Sequence, residues 1–180
     1  RALWSLHVSH SFVERQLENL LSDSDEYIRS WAIQLLCEDK TPSKEAQQEF
    51  IKMAKEDKSP VVRLYLASAL QRINEASAWK IASELTQHGV DKNDHNLPKM
   101  IWFGLEPLVK TNPKAGLDLL KNCKIDLIAN YIARRLVDAN EHALLVSYLE
   151  KNTQNIVPVL EGMRDGMDER IDLKAPKNWN

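Results

Sequence analysis

An aspartate and an arginine six residues apart recur in two successive blocks displaced by 34 residues. They are Asp23 and Arg29 in DSDEYIRSWAIQLL, and Asp57 and Arg63 in DKSPVVRLYLASAL. A fixed period of this size marks a solenoid, in which a short unit cannot bury its apolar face alone and does so against its neighbours. The repeat therefore constrains the architecture before any single element is assigned, and the periodicity within each block is helical.

Composition narrows the class further. The chain of 180 residues has only 5 Gly and 7 Pro, too few turn formers for a many-stranded β fold. Its 43% hydrophobic and 28% charged residues suit a folded helical chain with a sizeable core rather than a disordered one. The longest uninterrupted apolar run is Met100 to Leu105, far short of the roughly 18 residues a bilayer span requires. A net charge of −2 gives no basic bias for nucleic acid. Two cysteines, Cys37 and Cys123, define neither a zinc motif nor a disulfide framework.

Apolar stripes at helical spacing mark a series of outer helices: Phe12, Val13, Leu17, Leu20 and Leu21; Ala46, Phe50, Met53 and Ala54; Ala78, Ala82 and Leu85; Ala115, Leu119, Leu120 and Cys123; Leu144, Leu145, Tyr148 and Leu149. Thr41-Pro42, Ser59-Pro60 and Asn112-Pro113 mark helix starts, each pairing a side-chain cap with a proline whose missing N–H is harmless in the first turn. Between the outer helices, an aromatic is followed five residues later by leucine four times: Trp31 and Leu36, Tyr65 and Leu70, Phe103 and Leu108, Tyr131 and Leu136. These aromatics are expected in the core, with small residues beside them at Ala32, Ala67, Gly104 and Ala133.

The blocks resemble HEAT repeats, carried by Ile28-Arg29 with Ala32 and Leu36, and by Val62-Arg63 with Ala67 and Leu70. The resemblance implies an all-α fold, a right-handed α-α superhelix of about four to five helix pairs. It also implies a structural ladder of Asp23, Arg29, Asp57 and Arg63 between adjacent repeats. Registered on the aromatics, the third and fourth units depart from the pattern, with Ile101 and Ala129 at the arginine positions and His95 and Cys123 at the aspartate positions. The Trp-Leu-Gly-Tyr spacing of tetratricopeptide repeats is absent.

Longer phrases, RALWSLHV, SWAIQLLCED, SPVVRLYLASALQR, NLPKMIWFGLEPLV and EGMRD, resemble the helical middle section of large bacterial proteins of the membrane-bound dehydrogenase or haem-binding CxxCH family. That likeness implies a segment of an exported protein, periplasmic or at the cell envelope, concerned with sugar oxidation or electron transfer, in which a propeller domain precedes the repeats and a cytochrome domain follows. RALWSLHV reads as the closing turns of a helix, so the sequence is expected to start inside a longer protein. The expected organisation is residues 1–10 as the end of a preceding repeat, 11–165 as repeat domain and 166–180 as tail or linker.

Chemical motifs are sparse. No Cys-x-x-Cys-His attaches haem here, and no cofactor is expected in this segment. His7 and His10 are three apart, but a histidine pair without a third ligand is a poor metal site. The loop DKNDHN, 91–96, lacks the glycine of a calcium loop at the sixth place and has Trp102 where the twelfth needs glutamate. Neither a nucleophile signature nor a phosphate loop is present, so no catalytic residue is expected. Registering the inner helices places Ser30, Leu64, Trp102 and Asn130 at one position and Gln34, Ser68, Glu106 and Arg134 at another, both toward the concave face of a HEAT-like solenoid.

The candidate binding surface is therefore Trp102, Glu106, Arg134, Gln34 and Leu64, with a notch at Pro107, which lacks a helix donor. The competing expectation is that Trp102 packs on a neighbouring helix and Glu106 is solvated or paired with Arg134. The leading expectation is a non-catalytic interaction or scaffold segment that binds a protein partner or flanking domains of the same chain. No nucleic-acid ligand and no membrane span are expected. The alternative is an enzyme similar to HEAT-like alkylpurine DNA glycosylases, which requires a basic groove.

Overall fold

The computed structural model describes residues 2–9, 13–168, 170 and 174. Among these residues no strand occurs, and the helices are α1 (Ala2–Val8), α2 (Glu14–Asn19), α3 (Glu26–Leu36), α4 (Lys44–Glu56), α5 (Pro60–Ala69), α6 (Glu75–Leu85), α7 (Leu97–Thr111), α8 (Pro113–Leu120), α9 (Asp126–Asp138), α10 (His142–Lys151) and α11 (Ile156–Met167). The chain forms two compact units, Arg1–Leu85 and Thr86–Asn180. Arg1, His10, Phe12 and most of the expected tail, 171–173 and 175–180, lie outside the described residues.

In the first unit α3 packs on α5 and α4 on α6, with α2 against α3, so two layers of helices are stacked in pairs. Each layer exists because one stripe per helix is apolar. Along α4 that stripe is Ala46, Phe50, Met53 and Ala54, all buried, and α6 contributes Ala78, Ala82 and Leu85 with no exposed surface. Ser59 caps α5 by accepting from the Val61 and Val62 amides, and Pro60 occupies the first turn. The start expected at Thr41-Pro42 lies two residues later. Ser43 is the cap, accepting from the Ala46 amide at 2.9 Å, while Pro42 is buried and its carbonyl accepts from Gln47 Nε2.

The two aspartate–arginine pairs fold alike. Asp23 Oδ1 accepts from the Asp25 amide at 2.8 Å, as Asp57 Oδ1 accepts from the Ser59 amide at 2.9 Å. Arg29 Nη1 donates to the Asp23 carbonyl at 2.8 Å, as Arg63 Nη1 donates to the Asp57 carbonyl at 2.9 Å. Arg29 then joins the repeats: its Nε and Nη2 donate to the two Asp57 oxygens at 2.8 and 3.0 Å, a bidentate fork. The hydrogen bond to Asp57 raises the Arg29 pKa above its ordinary value, against the opposing effect of burial. Asp91 stands 34 residues after Asp57 and is itself buried, so the aspartate period extends one step further than registration on the aromatics placed it.

In the second unit α7 packs on α9 and α9 on α11, with α8 and α10 as the other layer. Asn112 caps α8, its Oδ1 accepting from the Ala115 amide, with Pro113 in the first turn. The expected boundary at 165 falls inside α11, which runs to Met167. This helix is set by two devices. Asn155 precedes it with φ 56°, the left-handed region asparagine tolerates, and its Nδ2 donates to the Leu120 and Cys123 carbonyls at 2.7 and 3.1 Å. Gly162 then lets α11 approach the α9 backbone so closely that a Cβ there would stand 2.1 Å from the Asn130 carbonyl oxygen.

The aromatics expected in the core are not core. Trp31 is 42% and Phe103 62% exposed, and Tyr65 and Tyr131 are half-buried. Five residues of helix turn about 140°, so an aromatic and a leucine five apart cannot share one stripe. The leucines occupy it at Leu36, Leu70 and Leu136, with Ala32, Ala67 and Ala133 beside them, and the aromatics face outward.

Both cysteines are buried and free. Burial pushes the Cys37 thiol up to about 12, opposed by nearby Arg72, and the Cys123 thiol up to about 11. Burial also raises the Tyr148 phenol. A raised folded-state pKa adds stability that is complete below the unfolded value and is lost as pH climbs through the folded one. The melting temperature is therefore expected to fall from about pH 9 upward, and a disulfide reagent should titrate the two thiols only after denaturant is added. Rapid labelling of the native chain near neutral pH would contradict this.

Candidate interaction cleft

Asp94 Oδ1 accepts from the Asn96 and Leu97 amides, both at 2.8 Å, and so fixes where α7 starts. Those hydrogen bonds hold its carboxyl below the ordinary value. From that start, Lys99, Trp102, Phe103 and Glu106 share one side of α7 at spacings of three and four residues. On α9, Tyr131, Arg134, Arg135 and Asp138 do the same, and the two sets line an open cleft of about 470 Å³.

The aromatic wall is a pair. Trp102 and Tyr131 lie with ring centroids 5.5 Å apart and planes tilted by 50°, within the favourable range for aromatic contacts. Both rings are half-buried, and exposed Phe103 adds apolar surface beside them. Trp102 thus packs on a neighbouring helix and lines a cleft at once. Trp102→Ala should lower stability by about 1–3 kcal/mol, less than a fully buried tryptophan would. Thermal unfolding checks this, and a loss as large as that of a core residue would remove Trp102 from the surface.

The charges are arranged differently from expectation. Glu106 pairs with Arg135, whose Nε lies 2.8 Å from Oε1, and not with Arg134. The contact is an ion pair rather than an aligned hydrogen bond, because Arg135 Nε is enclosed and has no acceptor in line with its N–H. Arg134, one residue earlier and so rotated about 100° around the helix, is exposed on the cleft. Its charge also reaches Asp165, whose carboxyl is lowered first by its pair with Arg164 and then by Asn130, with Arg134 a smaller contribution. Pro107 is exposed, and α7 continues through it to Thr111, whose hydroxyl donates to the Leu108 carbonyl at 2.9 Å.

The structure brings together Trp102, Glu106 and Arg134 of the five residues the sequence singles out for a surface. Gln34 and Leu64 are half-buried on α3 and α5 of the first unit and line no part of this cleft. Lys99, Phe103, Tyr131, Arg135 and Asp138 were missed. The signal for them was available, since each stands three, four or seven residues from another lining residue on its own helix. Assigning Phe103 and Tyr131 to the core concealed it. His7 lies in the first unit, with Nε2 2.6 Å from Glu38 Oε2. Among the described residues no group of three or more His, Cys, Asp or Glu is placed to hold a metal ion, and no helix is long and apolar enough to cross a membrane.

Residues 14–94 match the family described as HEAT repeats. With the all-helical structure and its layered helix pairs, this gives an α-solenoid class of fold carrying a HEAT-repeat segment. No curated protein and no solved structure matches the chain. The match supports the repeats and lends nothing to the narrower likeness to membrane-bound dehydrogenase and CxxCH proteins.

Proposed function

We propose that this chain is a non-catalytic interaction segment whose partner, a protein, docks in the cleft between α7 and α9. The observation that carries this reading is the lining itself. A half-buried tryptophan–tyrosine pair, an exposed phenylalanine and charged residues of both signs stand at helical spacing on two packed helices. Tryptophan, tyrosine and arginine dominate the energetics of protein interfaces, and rigid aromatic anchors lose little entropy on binding. HEAT-like repeats suit such a role because a stack of helix pairs holds its surface residues on rigid elements.

The finer setting rests on the sequence phrases. Their likeness to large exported bacterial proteins supports a segment that holds flanking domains of a sugar-oxidising or electron-transfer protein, with no cofactor of its own. Selection of binders from a displayed random-peptide library tests the cleft directly. Binders recovered on the intact chain should lose affinity for Phe103→Ser and Arg134→Ala while the melting temperature holds. Binders indifferent to both substitutions would move the docking surface elsewhere. A low-salt titration with duplex DNA addresses the glycosylase-like alternative, and saturable binding blocked by Arg134→Ala would favour it over a protein partner.

A further inference from the structure

The cleft's charges are not equally committed, and the difference selects among peptide chemistries. Glu106 is tied to Arg135, so its negative charge is already compensated. Lys99 and Arg134 are exposed on opposite helices of the cleft, and Asp138 is the one remaining acid among the lining residues. The Arg135 guanidinium has the Glu106 ion pair as its contact and presents no aligned hydrogen bond there. Three cations and two acids thus line the site; the Glu106–Arg135 pair cancels within itself and leaves Lys99 and Arg134 against Asp138, although the whole chain carries a net charge of −2. The cations are spread over two helices rather than gathered at one point, which suits several carboxylates along a chain better than one terminal carboxylate. Trp102, Phe103 and Tyr131 line the same cleft.

Resting on the docking reading above, we propose that the α7–α9 cleft binds an acidic peptide segment. In it, Asp or Glu side chains meet Lys99 and Arg134, and a large apolar or aromatic residue between them stacks against Trp102, Phe103 and Tyr131. Arginine is suited to this role because its planar fork accommodates a carboxylate through two parallel bonds. Stacking by the intervening side chain supplies affinity, and the flanking charges supply orientation and rate.

The test uses fluorescein-labelled short peptides titrated into the full chain and read by anisotropy. One peptide has Glu and Asp flanking two Phe, a second has Gln and Asn in their place, a third has Lys, and a fourth keeps the acids but replaces Phe with Gly. The acidic-aromatic peptide should bind best, and Arg134→Glu should weaken it by about tenfold or more, since like charges then oppose each other across the contact. Binding should also fall on raising salt to about 1 M, where screening acts beyond roughly 3 Å. Circular dichroism melts of Arg134→Glu, an exposed position, confirm that the fold persists.

Equal binding of the neutral or lysine peptide, still lost in Phe103→Ser, would overturn the acidic preference and leave the docking cleft standing. Binding of the acidic peptide unaffected by both Phe103→Ser and Arg134→Glu would overturn the preference and the cleft together. Preference for duplex DNA over every peptide would overturn the peptide ligand.

Discussion

Gly162→Ala is expected to destabilise the chain by about 3 kcal/mol or more, at the upper end of what overpacking a close contact causes. Ordinarily this substitution inside a helix stabilises, because alanine is favoured over glycine by roughly 1 kcal/mol. Here the added Cβ would stand 2.1 Å from the Asn130 carbonyl oxygen and 2.8 Å from its carbon. The obstacle is backbone in the middle of α9, which cannot rotate away as a side chain would. One helix must withdraw from the other, separating the most closely joined pair in the second unit and opening the contacts around Val159 and Met163, both buried.

Gly166→Ala should be milder, since its closest approach is longer: Val137 Cβ at 2.9 Å and Cγ1 at 3.1 Å, then the Arg134 carbonyl oxygen at 3.2 Å. Thermal unfolding gives the comparison, and a shift of roughly 10 °C for Gly162→Ala follows from the size of the chain. The gain of helix propensity without loss of stability would mean that α11 does not lie on α9 as described. Amide exchange adds a second readout, because lost packing should expose α9 and α11 before the helices of the first unit.

This glycine also shows what the sequence made legible and what it did not. The repeat blocks announce themselves because an aspartate ahead of a helix and an arginine near its start recur together at a 34-residue displacement. Apolar stripes such as Ala46, Phe50, Met53 and Ala54 were equally readable, since burial follows the helical period directly. Helix α11 has little of that signal, because the close-packed positions on it are glycines and Ile156, Val157 and Leu160 are exposed. Nor does a cleft follow from one helix at a time. Trp102 and Glu106 could be placed on one side of α7 from spacing, but which arginine of α9 meets Glu106 depends on how α9 is rotated against α7. A difference of one residue, Arg134 or Arg135, is a rotation of about 100° that sequence spacing does not decide.

Asp57→Ala is the second large effect, expected at about 3 kcal/mol, the lower end for breaking a buried ion pair by removing one partner. Its carboxylate does three things at once: it accepts both Arg29 nitrogens, it accepts the Ser59 amide that precedes α5, and it joins one repeat to the next. The side chains of Arg29 and Asp57 are 16% and 9% exposed, so water replaces little of what is lost. The stranded guanidinium retains the Asp23 and Ser24 carbonyls at 2.8 and 3.1 Å but loses its hydrogen-bonded carboxylate, keeping only the weaker attraction of Glu26 and Asp23.

That asymmetry sets the control. Removing Arg29 as well, in Asp57→Ala with Arg29→Met, should restore part of the stability, because a buried pair replaced by apolar groups loses attraction and desolvation together. Asp57→Asn should fall between the two, keeping an acceptor for the Ser59 amide while losing the charge. The double-mutant cycle from urea unfolding should return a coupling of about 1–3 kcal/mol. A coupling under about 0.5 kcal/mol would place the fork among surface ion pairs of little consequence. The repeats would then be held by their apolar stripes alone, with the 34-residue Asp–Arg signature a matter of helix starts rather than of repeat joining.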